Sequence, residues 1–267
     1  MKSAAHMDVA LELSEKAAAV MRKNFTLSMK KEWKDHRSPL TETDLIINDM
    51  VLKRIKELYP DHSILAEEGD DFSEESEYVW ICDPVDGTHN FSHGIPTATF
   101  ALALVKGGVP ILSVVVDPFM DRTFSAEKGK GAKLNGHTIH VNQNTGLKKT
   151  VIGCGKTKAI RNLFPFMENA YSKGVSFITG LSIHYMCALV AAGEFSAALF
   201  GGVSAYDMAA AKILVEEAGG KATDIFGNVP ARFDRDMEGQ IVSNGLLHDE
   251  LLAILDVTSP RQAPKSS

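Results

Sequence analysis

The sequence predicts a mixed α/β protein in which amphipathic helices and buried strands follow one another along the chain. Over residues 8–25, apolar side chains recur at helical spacing with charged residues between them. Residues 98–105 and 110–116 are instead continuous apolar runs, and Gly107-Gly108 separates them as a hairpin turn would. These two patterns, with 45% hydrophobic and 23% charged residues, indicate a globular chain that buries a core.

The segment between the first helix and this strand pair carries several acidic residues. Thr41 is predicted to cap a helix that runs to residue 58, with Asp44 at its third position in a variant of the capping box. Residues 63–66 are predicted to form a short buried strand that leads directly into Glu67-Glu68. Because the strand fixes the direction of the residue that follows it, the acidic pair favours a site, with a solvated loop as the alternative.

Residues 80–91 are the most informative stretch, because an apolar strand there runs into two aspartates, a turn and the start of a helix. Asp83 and Asp86 stand three positions apart before Gly87, so a turn can direct both carboxylates to one point. Two carboxylates at one point suit a divalent cation such as Mg2+. The amides of Gly87 and Thr88 would begin the next helix, where an anion is favoured. The alternative is a purely structural turn, since Asp, Pro and Gly are common turn residues.

The second half of the chain repeats the alternation of strands and helices. A strong helical run begins near Ser204 and stops at Gly219-Gly220, which places Asp207 in its first turn. Compensation of the helix dipole is the alternative role of Asp207. Residues 129–136 are predicted to form a β-turn. Further strands are predicted at 151–154, 175–178, 197–200, 221–224 and 241–244, and further helices at 158–171, 183–192 and 248–255.

Charge, hydropathy and cysteine content exclude several classes of function. A formal net charge of −6 argues against broad binding of nucleic acid or acidic membranes, which require a basic face. No apolar run reaches the roughly 20 residues that cross a bilayer, and no leader sequence is expected. Three widely spaced cysteines, Cys82, Cys154 and Cys187, fit neither a disulfide framework nor a zinc motif, which favours free thiols in the cytoplasm. We assign no metal role to the nine histidines.

Four acidic positions, namely Asp44, Glu67-Glu68, the Asp83/Asp86 pair and Asp207, each lie at the end of a predicted strand or the start of a helix. At these residues the sequence resembles the inositol monophosphatase family of Mg2+-dependent, lithium-sensitive phosphatases. The family motif D-P-[ILV]-D-G-T-x-N-F is matched at 83–91, its acidic pair at 66–68, and its late W-D-x-A-A and E-A-G-G motifs at 206–210 and 217–220, with Tyr206 in place of Trp. The resemblance extends over roughly residues 9–255.

The resemblance implies a layered αβαβα sandwich, an α+β or α/β fold whose members usually form homodimers. It further implies an N-terminal α+β half, residues 1–145, that carries most metal ligands. A C-terminal α/β half, residues 146–256, would carry Asp207 and the substrate loop. We expect residues 257–267 to form a flexible tail.

The resemblance also implies the ligands of two or three Mg2+ ions. Glu67, Asp83 and the backbone carbonyl of Val85 would hold one ion. Asp83, Asp86 and Asp207 would hold a second, and Glu67 would help to hold a weaker third. So dense a carboxylate cluster repels itself unless cations neutralise it.

Catalytic and substrate-binding roles follow from the same resemblance. Glu67 and Thr88 would position a water for in-line attack on phosphorus, and Asp44 would orient Thr88 and accept its proton. The first metal would make this water more acidic, and the second would neutralise charge on the leaving ester oxygen, as in other two-metal phosphoryl transfers. No phospho-enzyme is needed. The substrate would be bound by Asp86, Gly87, Thr88, Gly180, Leu181, Ser182, Phe200 and Asp207.

Two departures from the family pattern leave the substrate open. Members that bind inositol usually carry an acidic residue seven positions before the late aspartate, where this chain has Phe200, which we expect to stack on or shield another leaving group. Leu181 replaces a small residue in the substrate loop. The default substrate is myo-inositol monophosphate, with histidinol phosphate, fructose 1,6-bisphosphate and a nucleotide such as NADP or 3′-phosphoadenosine 5′-phosphate as alternatives. A non-enzymatic regulatory partner of the transcription machinery is the alternative of another class.

Overall fold

The structure is a computed structural model that describes residues 5–34, 39–69, 71–73, 75–155 and 162–258. The helices within these ranges are α1 (His6–Asn24), α2 (Glu42–Leu58), α3 (Thr88–Ser92), α4 (Phe164–Ser172), α5 (Ile183–Ala191), α6 (Ala209–Glu217) and α7 (His248–Thr258), and a 3₁₀ turn spans Ala205–Asp207. The strands are β1 (Glu32–Trp33), β2 (Pro39–Leu40), β3 (Ser63–Ala66), β4 (Tyr78–Asp86), β5 (Thr99–Lys106), β6 (Val109–Asp117), β7 (Arg122–Glu127), β8 (Ala132–Leu134), β9 (His137–Ile139), β10 (Val151–Gly155), β11 (Ser176–Thr179), β12 (Ala197–Phe200), β13 (Lys221–Asp224) and β14 (Gln240–Ser243).

Two mixed sheets form the framework. The larger has seven strands in the order β3-β4-β5-β6-β7-β8-β9. Only its first pair, β3 with β4, is parallel. The smaller has five strands in the order β11-β10-β12-β14-β13, with β10 parallel to both of its neighbours. The predicted hairpin between β5 and β6 is confirmed, and Gly107 and Gly108 both adopt the positive φ angles that such a tight turn requires.

The side chains of the central strands alternate between separate cores. On β5, Phe100, Leu102 and Leu104 pack in one core with residues of α1 and α2, whereas Ala101, Ala103 and Val105 pack in another with residues of α5 and α6. On β12, Ala198 and Phe200 face that same middle core, while Ala197 and Leu199 face a third core with residues of α4 and α7. Because successive residues of a strand point to opposite faces, each sheet is covered on both sides. The order of layers is therefore helix, sheet, helix, sheet, helix, and the predicted layered α/β fold class is confirmed.

The predicted N-terminal helices are confirmed in detail. On α1, Val9, Leu13 and Ala17 are buried at four-residue intervals, which places the apolar stripe on the larger sheet. The capping box of α2 is present, because the backbone N–H of Thr41 donates to Asp44 Oδ2 at 3.0 Å and the Thr41 hydroxyl donates to the same oxygen. This cap buries Asp44 completely.

Three local predictions need correction. The stretch from Asp83 to Asp86 is the end of strand β4, and the turn begins only at Gly87. The predicted β-turn at 129–136 contains strand β8, because residues 132–134 pair with β7. The helix predicted at 158–171 is the shorter α4, with residues 156–161 outside the described ranges.

The structure corrects part of the predicted C-terminal tail but does not test the predicted division into two halves. Helix α7 continues to Thr258 and so includes the first two residues of the predicted tail, whereas residues 259–267 lie outside the described ranges. Strands β3–β9 all precede residue 140 and strands β10–β14 all follow residue 150. A boundary between halves near residue 145 remains a prediction. Among the described helices, none combines the length and the apolar character that crossing a membrane requires.

Candidate active site

The end of strand β4 contains a bulge that brings two aspartates to the same side. Asp83 pairs with Ala101 and Asp86 pairs with Thr99, so three steps along β4 match only two along β5. In a regular strand, residues three apart point to opposite faces, and the extra residue of the bulge restores a common side. A proline fits at a bulge because its missing N–H is not needed for the ladder. The sequence Asp83-Pro84-Val85-Asp86 therefore presents both carboxylates at the strand end.

Glu67 reaches the same place from the neighbouring strand. Strand β3 runs parallel to β4 with Ala66 opposite Cys82, and the Glu67 N–H donates to the Cys82 carbonyl at 3.3 Å. Glu67 therefore follows its strand at the level where Asp83 follows Cys82. This parallel register explains why an acidic pair far from Asp83 in sequence belongs to one site.

Ser182 and helix α5 hold the carboxylate of Asp86. Asp86 Oδ2 accepts hydrogen bonds from the Ser182 hydroxyl at 2.7 Å and from the backbone N–H of His184 at 2.6 Å. Ser182 Oγ also accepts from the N–H of Tyr185 at 3.0 Å, which caps α5. These two hydrogen bonds orient the carboxylate of Asp86 and leave its Oδ1 atom for other partners.

Thr88 and Asp44 form a second buried pair. The Thr88 hydroxyl lies 2.8 Å from the carbonyl oxygen of Val85 and 3.2 Å from Asp44 Oδ1. One hydroxyl has a single proton, so these two acceptors compete for it. Burial raises the pKa of Asp44 to about 6, although its hydrogen bonds from Thr41 act in the opposite direction.

Asp83 lies in an environment that disfavours a charged carboxylate. Its side chain is 2% exposed, and its Oδ1 atom is buried without a hydrogen-bond partner among the described residues. Burial raises the pKa of Asp83 well above its ordinary value, and the charges of Glu67, Asp86 and Asp207 raise it further. Burial likewise raises the pKa of Glu67 to about 7. An unpaired carboxylate oxygen among three other carboxylates is the donor set that hard divalent cations bind, so these residues fit a metal site.

Lys34 is the cation that the structure places at this acidic cluster. Its Nζ donates to Glu67 Oε1 at 2.9 Å and also to Glu68. Burial lowers the pKa of Lys34, but the hydrogen bonds and charges of Glu68 and Glu67 outweigh burial and raise it above its usual value. The structure therefore pairs Lys34 with two glutamates that lie 33 and 34 positions further along the chain.

A cavity of about 720 Å³ opens above these residues. Nine predicted site residues line it, namely Glu67, Asp83, Val85, Asp86, Gly87, Thr88, Gly180, Leu181 and Asp207. We call Glu67, Asp83, Asp86 and Asp207 the acidic floor. The structure thus brings together residues that are up to 140 positions apart, from Glu67 to Asp207 (207 − 67 = 140).

Three predicted site residues lie behind the cavity wall. Asp44 is fully buried and touches Thr88, and Ser182 is buried and touches Asp86. Phe200 is completely buried in the middle core, so the expectation that it stacks on a leaving group needs correction. The strand residues 197–200 are apolar on both faces, because both sheet faces are covered, and the sequence therefore does not show which face meets the cavity.

Sequence reasoning missed three histidines near the site. One nitrogen of His184 and one carboxylate oxygen from each of Asp83 and Asp86 lie within 4.8 Å of one another. His89 lines the cavity, and its ring stacks on His93 with 4.6 Å between ring centroids. The H-x-x-x-H spacing of His89 and His93 was a readable signal, whereas His184 stands alone in an apolar helix and gave none.

The comparisons with known proteins agree with this geometry. The sequence profile of the inositol monophosphatase family matches residues 4–258. The chain belongs to this family. It is 34% identical over 217 residues to the fructose-1,6-bisphosphatase/inositol-1-monophosphatase of Thermotoga maritima, which covers 81% of this chain and 82% of that protein. It is also 34% identical over 205 residues to the Nus factor SuhB of Pseudomonas aeruginosa, covering 73% and 75% of the two chains.

Solved structures give the same result for the fold. The structure of a Thermotoga maritima IMPase superimposes with a TM-score of 0.85 at 31% sequence identity, covering 94% of this chain and 97% of that one. Family membership and the phosphatase relatives make this protein a phosphoric monoester hydrolase.

Proposed function

We propose that this protein is a Mg2+-dependent phosphatase that hydrolyses a small phosphate monoester with water as the nucleophile, and that myo-inositol monophosphate is its default substrate. The observation that carries the proposal is the acidic floor, in which the unpartnered Asp83 Oδ1 lies among three other carboxylates beside a cavity. Carboxylates at such density are stable together when cations share them.

The residues of the acidic floor would hold the cations. Glu67, Asp83 and the carbonyl of Val85 form one oxygen set, and Asp83, Asp86 and Asp207 form another, with two or three ions in total. When bound, divalent cations supply Lewis-acid chemistry, which makes water more acidic and neutralises the charge of phosphate. Carboxylate and carbonyl oxygen ligands of this kind suit Mg2+.

Thr88, Asp44 and Glu67 would position and deprotonate the water. When the Thr88 hydroxyl donates its proton toward Asp44 Oδ1, 3.2 Å away, a lone pair of Thr88 Oγ1 is left to accept a hydrogen bond from water in the cavity. The Glu67 carboxylate would accept a hydrogen bond from the other O–H of the same water. The buried Asp44 acts through Thr88 and does not touch the cavity.

The loop that contains Gly180 and Leu181 would contact the alcohol. Gly180 and Leu181 line the cavity, and the side-chain amide of Asn90 donates to the Gly180 carbonyl, which fixes this loop above helix α3. Gly87 and Thr88 lie at the start of α3, where their backbone N–H groups would hold the phosphate. Leu181 gives this loop an apolar side chain, and Phe200 takes no part in it.

A second substrate class is favoured by a basic rim, which we define as Lys31, His89 and His93. The Nζ of Lys31 lies 2.9 Å from His93 Nε2, and His93 stacks on His89 at the cavity wall. A cation at this edge suits a substrate with a second anionic group, such as a sugar bisphosphate or a nucleotide. The relative named as both a bisphosphatase and a monophosphatase supports this candidate.

A panel of phosphorylated metabolites tests the proposal. We expect Mg2+-dependent release of phosphate from at least one of inositol monophosphate, fructose 1,6-bisphosphate, histidinol phosphate, NADP and 3′-phosphoadenosine 5′-phosphate, and slower release with millimolar lithium. Full activity of Asp83→Asn, or no release from any compound, would contradict it. The second outcome would favour a regulatory partner of the transcription machinery, the alternative that the relative named Nus factor SuhB supports.

Assembly and location belong to the same proposal. The family resemblance supports a homodimer, which light scattering of the purified protein tests. Cys82, Cys154 and Cys187 are free and buried, which supports a reducing, cytoplasmic environment. A small phosphorylated metabolite is the expected partner, with no membrane and no nucleic acid.

A further inference from the structure

His184 is a buried histidine with one nitrogen unaccounted for. Its side chain is 0% exposed in the first turn of α5, and its Nδ1 atom is buried without a hydrogen-bond partner among the described residues. His184, Asp83 and Asp86 form one group of possible metal ligands, and within this group Asp83 Oδ1 is also buried without a hydrogen-bond partner. A buried polar atom without a partner is unfavourable by about 1–3 kcal/mol and calls for an explanation.

The other ring nitrogen fixes the tautomer of His184. His184 Nε2 lies 2.9 Å from the backbone carbonyl oxygen of Tyr206. A carbonyl only accepts hydrogen bonds, so Nε2 carries the proton and the neutral ring presents a lone pair at Nδ1. Metal-binding histidines characteristically donate their second N–H to a backbone carbonyl or carboxylate in this way. The hydrogen bond also joins α5 to the turn that carries Asp207.

A second buried histidine shows how such a residue is satisfied when it has only a structural role. His248 is likewise 0% exposed, but its Nε2 lies 3.0 Å from the Thr223 hydroxyl and its Nδ1 lies 2.8 Å from the Ser243 hydroxyl. Both ring nitrogens of His248 are thus accounted for within the protein. In His184 only Nε2 has a partner, so Nδ1 is the ring nitrogen that remains available to a ligand.

We propose that His184 Nδ1 is a ligand of the cation held by Asp83 and Asp86, and that this nitrogen shifts the preference of the site from Mg2+ toward Mn2+. The inference rests on the proposed metal-dependent function and adds to it the identity of one ligand. Imidazole binds first-row transition metals well, whereas Mg2+ favours oxygen ligands.

The distances suit this assignment. One ring nitrogen of His184 and one carboxylate oxygen from each of Asp83 and Asp86 lie within 4.8 Å of one another. Ligands of one ion with bonds of about 2.1 Å are at most about 4.2 Å apart, so binding an ion would require this group of atoms to contract. Asp86 Oδ2 already accepts from the His184 N–H, which fixes the base of the imidazole beside the carboxylate.

Pulsed electron paramagnetic resonance of the Mn2+-loaded wild-type protein tests the ligand directly. We expect a nitrogen coupling that disappears in His184→Asn and changes when the protein contains ¹⁵N-labelled histidine. His89→Thr serves as the matched control for the one other histidine at the described cavity lining, and its spectrum should keep the coupling. A Mn2+-loaded wild-type protein without nitrogen coupling would overturn the proposal, and this measurement needs no variant to fold.

Calorimetric titrations test the preference. In the wild-type protein, the ratio of the Mg2+ to the Mn2+ dissociation constant should be at least about 10-fold higher than in His184→Asn, which offers an amide in place of the nitrogen. His248→Asn should leave this ratio unchanged. An unchanged ratio in His184→Asn, with Mg2+ still bound, would overturn the inference alone. Failure of the wild-type protein to bind either metal would overturn both the inference and the proposed function.

Discussion

All four residues of the acidic floor line the cavity, whereas the basic rim reaches it through His89, and the two regions are built in opposite ways. Asp83, Asp86 and Asp207 are each at most 6% exposed, and they are held by a strand end, a helix start and a 3₁₀ turn. His89 is exposed on the five-residue helix α3, and His93 is exposed at the C-cap of that helix. The floor is therefore positioned by the ends of β3 and β4 and by the 3₁₀ turn, whereas the rim depends on short local structure. We infer that the acidic floor determines the rate of the chemical step and that the basic rim determines which substrates are preferred.

The largest effect should follow from removing one charge of the floor. Asp83→Asn keeps the shape but removes the carboxylate that both proposed metal sets share, so we expect kcat to fall on the order of 10³-fold or more. Metal-free Asp83→Asn should at the same time be more stable than the wild-type protein, because repulsion within the floor is relieved.

Asp117→Asn is a matched control for this change. Asp117 is also buried, but it accepts hydrogen bonds from the backbone N–H groups of Phe119 and Met120 at a turn away from the cavity. The Asp117→Asn substitution should lower the free energy of unfolding without a comparable loss of kcat. Equal losses of kcat in the two variants would show that the floor has no special role.

Metal removal should give the floor a characteristic pH dependence. In the folded metal-free protein, the pKa of Glu67 is about 7 and that of Asp44 about 6, both above their ordinary values. The folded state therefore holds protons that the unfolded chain has released, and the free energy of unfolding decreases as pH rises from about 4.5 to 7. Each pKa unit corresponds to about 1.4 kcal/mol. Denaturant unfolding in a chelator at pH 5 and pH 7.5 measures this decrease, and saturating Mg2+ should diminish it.

Asp44→Asn should have an intermediate effect. The amide still caps α2 but no longer accepts a proton from Thr88, so we expect kcat to fall by roughly 10²-fold with little change in Mg2+ affinity. Steady-state kinetics and Mg2+ calorimetry measure the two quantities. A large loss of Mg2+ affinity with unchanged kcat at saturating metal would assign Asp44 to the metal site instead.

The smallest effect should come from the rim. With a bisphosphate substrate, His89→Thr should raise KM about 10-fold because it removes a polar contact to the second anion, and kcat should change little. With a monophosphate, KM should stay close to that of the wild-type protein. Equal changes in KM for both substrates would show that the rim does not bind a second anionic group.

The sequence predicted the floor better than the rim for physical reasons. Asp83 and Asp86 stand in a specific local motif, and the capping box at Asp44 is a local pattern, so neighbouring residues alone were informative. The bulge at Asp83 was mistaken for a turn, because Asp, Pro and Gly favour both structures. The hydrogen bonds from Lys34 to Glu67 and from His184 to Tyr206 join residues distant in the chain, and no local pattern encodes them.

The central claim is that carboxylates distant in sequence share bound cations at one site. Mg2+ calorimetry of Asp207→Asn tests it most directly, with Asp234→Asn as a control because Asp234 is also buried but pairs with Arg232. We expect Asp207→Asn to weaken Mg2+ binding by at least about 10-fold and Asp234→Asn to leave it unchanged. Wild-type Mg2+ affinity in a folded Asp207→Asn protein would contradict the account.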